Sequence, residues 1–407
     1  MKKYNFDTVI DRRGTSSMKY ENLDAVFGRH DVSPLWIADL DFAVCPDIVK
    51  TLRQRLDHPI LGYFACPDSY WNAVMSWLER RHGLKTEREQ LAFIPGVVKG
   101  IGYAINFFSR PGDRIVIQPP VYHPFRMVIE GNGRQVVENP LVFDGENYTM
   151  DLEGLEEVVS REKPTMMILC NPHNPIGIQW SAETLARVAA ICRSHGVTVV
   201  SDEIHGDLVL YGKPHIPFVD VSDDARAVGV TLGAPSKTFN IPGLVSSWVL
   251  VKDPTLREGF FHWLEVNEFS APMMISALGA EVAYNHGEQW LDEMVEYVED
   301  NIDFAINFVD RHIPGVRIIR PQASFLLWVD FRGLGLSQNE LMDLLLDKAH
   351  IALNDGTMFG AQGLGFARLN VGTPRTVLAT ALEHIREAVV SMPSHTQHAA
   401  VADAINK

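Results

Sequence analysis

Along the chain, short runs of consecutive apolar residues alternate with longer stretches in which apolar positions recur every three or four residues. The runs fall at 91–94, 114–118, 165–170, 197–202 and 228–232, with a further short one inside 133–139. They are rich in β-branched residues, and most lack the in–out alternation of a half-solvated strand, so they read as strands buried on both faces. Between them the helical spacing predicts helices over 46–56 (with Pro46 suited to the first turn), 68–82, from Gly96 to 108, over 151–160, and up to 195 behind a Ser181 cap. This alternation predicts an α/β fold: a mostly parallel, mixed sheet with helices on both faces.

The texture changes after residue 237. The helical period predominates over 271–312, and a smaller α/β section follows. It has strands at 325–331, 351–353 and from 366, helices at 339–349 and 377–390, and a glycine-rich loop between the last two strands. The reading is a large domain over 46–289, a smaller α/β domain built from 1–45 and 290–392, and a polar tail at 393–407. Residues 36–42 (WIADLDF) alternate apolar with acidic residues and are expected to be extended with one wet face.

Composition narrows the class. The 407 residues are 46% hydrophobic and 21% charged, ordinary values for a globular chain, and the net charge of -15 argues against a nucleic-acid partner. No run reaches membrane-spanning length, and no apolar segment follows the first residues as in a secretory signal, so a cytoplasmic protein is expected. Four cysteines stand without a CxxC pair, and fifteen histidines form no HExxH-like pair. Reduced thiols and no metal site are therefore expected.

The chemistry gathers just past the strand ends, where ligands bind in open α/β sheets. Tyr122, Asn174, Asp202 and Lys237 each follow a run. Taken singly, Tyr122 could be packing, Asn174 turn chemistry, Asp202 a helix cap and Lys237 a solvated lysine. Taken together they match one cofactor, pyridoxal 5′-phosphate. It needs a lysine to hold it, an acid at its ring nitrogen, an aromatic on its face and a donor to its 3′-oxygen. The break at Pro95-Gly96 opens a helix whose first N–H groups (Gly96, Val97, Val98) suit a phosphate. Arg368 suits a substrate carboxylate.

On the motifs NPHNPIG (171–177), SDEIH (201–205), APSKTFN (234–240) and ARLNVGTPR (367–375), the chain resembles the fold-type-I enzymes of the aminotransferase class I/II superfamily over about residues 5–390. DRRGT, WIADLDF, PPVYHPF, SDEIHGDLV and SKTFNIPGL make it most similar to the cystathionine β-lyase and cystalysin type of C–S lyase. The resemblance implies that Lys237 holds the cofactor, Asp202 partners the ring nitrogen, Asn174 donates to the 3′-oxygen and Tyr122 stacks. It implies Gly96, Val97, Val98 and Ser236 at the phosphate, joined by Tyr63 from a second subunit of a homodimer. It places Arg368, Asn174 and Ala38 around an amino-acid substrate.

Two positions depart from the aminotransferase pattern. Ala234 stands where many relatives carry a phosphate-binding serine, and Val245 where they carry an arginine. The second departure fits the lyases better. His123 and His205, beside the site in sequence, read as packing or as a layer supporting the site residues. The leading expectation is a β-lyase acting on cystathionine or related cysteine conjugates. An aminotransferase comes second, and a cofactor-binding regulatory protein with vestigial activity third.

Overall fold

The apolar runs assemble into one seven-stranded sheet. In the computed structural model, which describes residues 3–392, the strands are β1 (Leu91–Ile94), β2 (Arg114–Ile117), β3 (Gln135–Glu138), β4 (Met166–Cys170), β5 (Thr198–Asp202), β6 (Gly229–Gly233) and β7 (Ser247–Leu250). Their order is β1-β7-β6-β5-β4-β2-β3. β7 runs antiparallel to both neighbours, and every other pairing is parallel. The sheet is thus mixed and mostly parallel, as the pattern predicts.

Continuity of the apolar runs follows from cover on both faces. Met167, Leu169 and Val199 join the core under helices Leu152–Glu162 and Ala182–His195. Met166, Ile168 and Val200 point the other way, against Ile101 and Ala104 of helix Val97–Phe108 and Phe125 of helix Pro124–Gly131. A polar side chain on either face is buried and needs a partner there, as Ser201 of β5 finds in Glu203 at 2.9 Å. The covering helices start where their caps say: the Asp151 side chain accepts from the Gly154 N–H and that of Ser181 from the Thr184 N–H, each worth about 1 kcal/mol.

A second, antiparallel sheet holds β8 (Arg317–Ile319), β9 (Leu326–Asp330), β10 (Asn354–Asp355) and β11 (Phe366–Asn370), in the order β8-β9-β11-β10. The run expected at 351–353 does not join it. Ile351–Ala352 pairs in parallel with Ser33–Pro34 instead and ties in the N-terminal segment. That segment also packs Phe6 against Phe42 and Trp290, with ring centroids 5.0 and 5.9 Å apart.

The helical region 271–312 is helices Met274–His286 and Glu288–His312, interrupted at Gly287; other elements differ from expectation. β7 and helix Pro254–Val266 fall in a stretch where the pattern marked no element. The expectation for 36–42 is overturned: the segment forms no strand, and its acids do not face water. Asp41 is buried, and Lys19, its partner at 2.7 Å, is wholly so. Arg12 reaches Asp39 at 2.5 Å and Asp41 at 2.9 Å. The cations come from some twenty to thirty residues upstream, beyond the reach of any local alternation. The tail at 393–407 lies outside the described residues.

Among the described residues no helix is long and apolar enough to cross a membrane. None of their His, Cys, Asp and Glu side chains form a group of three or more that could hold a metal ion. All four cysteines are free.

Candidate active site

Strand register brings the site together. Cys170, Asp202 and Leu232 are level across β4, β5 and β6. Asn174 follows four residues past the first, and Lys237 five past the third, in the helical turn Pro235–Thr238. Tyr122 lies five residues beyond the end of β2. β7 inverts the direction between β1 and β6, so the Pro95-Gly96 break after β1 opens at this same edge. A cavity of about 340 Å³ collects Ala38, Gly96, Val97, Val98, Tyr122, Asn174, Asp202, Ser236 and Lys237. Of the residues expected to touch cofactor or substrate, only Arg368 and Tyr63 do not line it. Arg368 reaches it through Asn174, whereas Tyr63 is fully exposed on the loop before helix Asp68–His82.

The helix Val97–Phe108 starts with Gly96 at φ +116, a region that favours glycine, and no atom stands within 4 Å of where a Cβ would sit. The first helical amide to find an intrahelical carbonyl is that of Gly100, bonded to Gly96. The N–H groups of Val97, Val98 and Lys99 are left facing the cavity edge, with the positive end of the helix dipole behind them.

Asp202 is 4% exposed, and burial pushes its carboxyl up to about 7. One oxygen accepts from the Ile204 N–H at 3.1 Å. This is a local turn contact and not a helix cap: the helical turn that follows, Gly206–Leu208, has His205 in the cap position. Lys237 Nζ donates to the Ala38 carbonyl. Burial pulls its ammonium down to about 8, against the opposing pull of Asp39, while Arg368 lowers it and Asp202 raises it by smaller amounts. A lysine near this value exchanges its proton readily at neutral pH.

Arg368, on β11, is 4% exposed and lowered to about 10 by burial. Its Nη1 donates to Asn174 Oδ1 at 3.1 Å, and its Nη2 to the Trp36 carbonyl at 3.0 Å and Asn354 Oδ1 at 2.7 Å. Nε is buried without a partner, and among the described residues no carboxylate pairs with the guanidinium. An unneutralised cation in the interior is costly unless an anion joins it. The bond to Arg368 also fixes the amide of Asn174, leaving its Nδ2 donor free for the cavity.

Several contributors went unread in the sequence. Asn354 orients Arg368, and Phe359 lies beneath the guanidinium at 4.9 Å. Asn354 might have been suspected as a polar residue closing an apolar run, whereas nothing marks Phe359 in its loop. Lys99, Ser246 and Ser247 also line the cavity. Val245, the residue in place of the aminotransferase arginine, lines it in a left-handed conformation at φ 51. His205 is buried and pulled down to about 3 by burial, first of all, and His123 to about 4 for the same reason. Both are neutral imidazoles at physiological pH; His205 lines the cavity and His123 does not.

A lysine, a buried acid and a helix start grouped at the carboxyl edge of such a sheet define an α/β enzyme of the lysine-held cofactor class. Residues 31–385 match the aminotransferase class I and II family, and the chain belongs to it. It is 43% identical over 385 residues to cystathionine beta-lyase PatB of Bacillus subtilis (strain 168), covering 95% of this chain and 100% of that one. Its backbone matches cystalysin from Treponema denticola, whose crystal structure contains pyridoxal 5′-phosphate, with a TM-score of 0.92 at 29% identity over 96% of this chain and 100% of cystalysin. The PLP-bound C–S lyase of Staphylococcus hominis follows at 0.88 and 30% identity, over 95% and 98% of the two chains.

Proposed function

We propose that this protein is a pyridoxal 5′-phosphate-dependent C–S β-lyase that cleaves L-cystathionine or related cysteine S-conjugates to a thiol, pyruvate and ammonia. The observation that carries this reading is the full-length 43% identity to a cystathionine beta-lyase, seated on a site whose donors suit that cofactor. The free amides of Val97, Val98 and Lys99, with Gly96 and Ser236 beside them, suit the phosphate. Asp202 is a buried carboxyl with no cation bonded to it, suited to a protonated ring nitrogen. Tyr122 would cover the ring face, Asn174 Nδ2 would reach the 3′-oxygen and Lys237 would hold the aldehyde carbon. When bound, the cofactor supplies an electron-withdrawing ring that acidifies the substrate's Cα–H.

The chain's own residues do the rest. Arg368 takes the substrate α-carboxylate, held in place by Asn354, the Trp36 carbonyl and Asn174, and so aims Cα–H at Lys237. Lys237, displaced by substrate, takes that proton. The bond from Cβ to sulfur would then break, the sulfur keeping the electron pair and leaving as thiol once protonated, and water would release the remaining three-carbon fragment as pyruvate and ammonia. Val245, an apolar residue in place of the aminotransferase arginine, supports the lyase reading over transamination. Tyr63 stands on an exposed loop, free to meet the phosphate of a second copy, so the working unit is read as a homodimer. Its large domain spans 46–289, and its small domain joins 1–45 to 290–392. The free cysteines fit a cytoplasmic location.

The deciding assay is thiol release from cystathionine or an S-alkyl cysteine with and without added 2-oxoglutarate or pyruvate. Thiol, pyruvate and ammonia should appear in equal amounts with no keto acid present. Turnover only with the keto acid, and no thiol, would replace the lyase with the aminotransferase. A second expectation tests the carboxylate site. Arg368→Lys should raise KM for L-amino acids about 10- to 100-fold, the loss of one or two charged hydrogen bonds worth about 1–3 kcal/mol. An ammonium cannot reproduce the planar two-bond grip. An unchanged KM would move the carboxylate elsewhere.

A further inference from the structure

The segment 36–42 touches both parts of the site. Its Trp36 carbonyl holds Arg368, and its Ala38 carbonyl accepts from Lys237 Nζ. It forms no regular ladder: the Asp41 N–H donates to the Gly372 carbonyl at 2.8 Å, and side chains hold the rest of it. Asn370 Nδ2 donates to the carbonyls of Ile37 and Asp39, both at 2.7 Å. Asn240, three residues past Lys237, accepts from the Leu40 N–H at 3.0 Å and donates to the carbonyls of Leu40 and Phe42 at 3.0 and 2.9 Å. Arg12 then bridges the side chains of Asp39 and Asp41, and wholly buried Lys19 closes the group against Asp41 at 2.7 Å and Asp39 at 3.7 Å. Two cations and two anions balance, which is what lets Lys19 lie in the interior. Asp39 has a further neighbour, because it directly follows the carbonyl that receives Lys237.

We propose that Arg12, Lys19, Asp39 and Asp41 are positioning residues for the catalytic base: they fix Ala38 so that its carbonyl receives the free Lys237 amine, and Asp39 supplies the field in which that amine gains and loses its proton. This rests on Lys237 being the base. The charges facing Lys237 are Asp39 from this segment, Asp202 from β5 and Arg368 from β11. Asp39 favours the ammonium, and Arg12 and Lys19 temper it.

Opposite substitutions therefore move the base in opposite directions. Asp39→Asn removes a neighbouring anion, so the acid limb of the kcat–pH profile should fall by on the order of half a pH unit or more. Arg12→Gln leaves Asp39 less neutralised, so the limb should rise. The pH titration of the loaded enzyme's visible absorption band, which follows the nitrogen of Lys237 without turnover, should move the same way in each variant. Profiles that superimpose on the parent's while rates fall, or that shift in one direction for both variants, would reduce the cluster to a structural anchor. Arg12 is 22% exposed in its side chain, so its variant still reads the direction if Asp39→Asn does not fold. Such a null result leaves the base assignment intact, whereas full activity in Lys237→Ala would remove the base itself.

Discussion

Lys237→Ala should lose the visible absorption band of the lysine-held cofactor and nearly all turnover, with kcat falling by at least ~10³-fold. Two functions leave together, the covalent hold on the cofactor and the group that takes the Cα proton. The loss should not come from unfolding. Lys237 sits at the cavity edge in a single helical turn, and its one hydrogen bond is to the Ala38 carbonyl. Melting of the cofactor-free variant should therefore stay close to that of the cofactor-free parent. A small exogenous amine should restore part of the rate, because the cavity of about 340 Å³ leaves room beside the truncated side chain. If the band and the turnover both survived, the neighbouring amine of Lys99, which lines the same cavity, would become the candidate.

The parts of this site that could be read in the sequence were those fixed by local chemistry. Buried parallel strands must be continuously apolar, so the residue where polarity returns marks the strand end, and Asp202 and Lys237 announce themselves there. Gly96 after Pro95 marks a helix start by conformation, since proline ends the strand and glycine takes the φ of +116 that the turn requires. What escaped were contacts made over long separations. Asn354 and Phe359 acquire meaning only when β11 brings Arg368 between them. Asp39 and Asp41 looked solvated because their partners Arg12 and Lys19 lie far upstream. β7 is antiparallel in a mostly parallel sheet and returns from β6 through short helical turns only, so it stands outside the strand–helix alternation that marks the other runs.

Asp202→Asn should bind the cofactor but react about 10²–10³-fold more slowly, since an amide offers no charge to the ring nitrogen at the moment the ring must accept electrons. The same substitution should change stability in the opposite sense. Burial places the Asp202 carboxyl at about 7 in the folded chain, against 3.8 for an ordinary aspartate. Between these values the folded protein binds more protons than the unfolded one. The contribution is fully present below about pH 4 and is lost as pH rises through about 7. Above neutral pH the cofactor-free parent therefore carries a buried carboxylate with no bonded cation, whereas asparagine keeps the 3.1 Å bond from the Ile204 N–H and carries no charge. Cofactor-free Asp202→Asn should melt higher than the cofactor-free parent at pH 8, and the advantage should vanish by pH 4. Adding pyridoxal 5′-phosphate should reverse the order, because the protonated ring nitrogen supplies the missing cation to the aspartate and not to the amide. Calorimetry of both proteins at the two pH values, with and without cofactor, measures all of this. A parent that melted higher at pH 8 without cofactor would mean that Asp202 already has its cation, and that its place at the ring nitrogen is taken by another group.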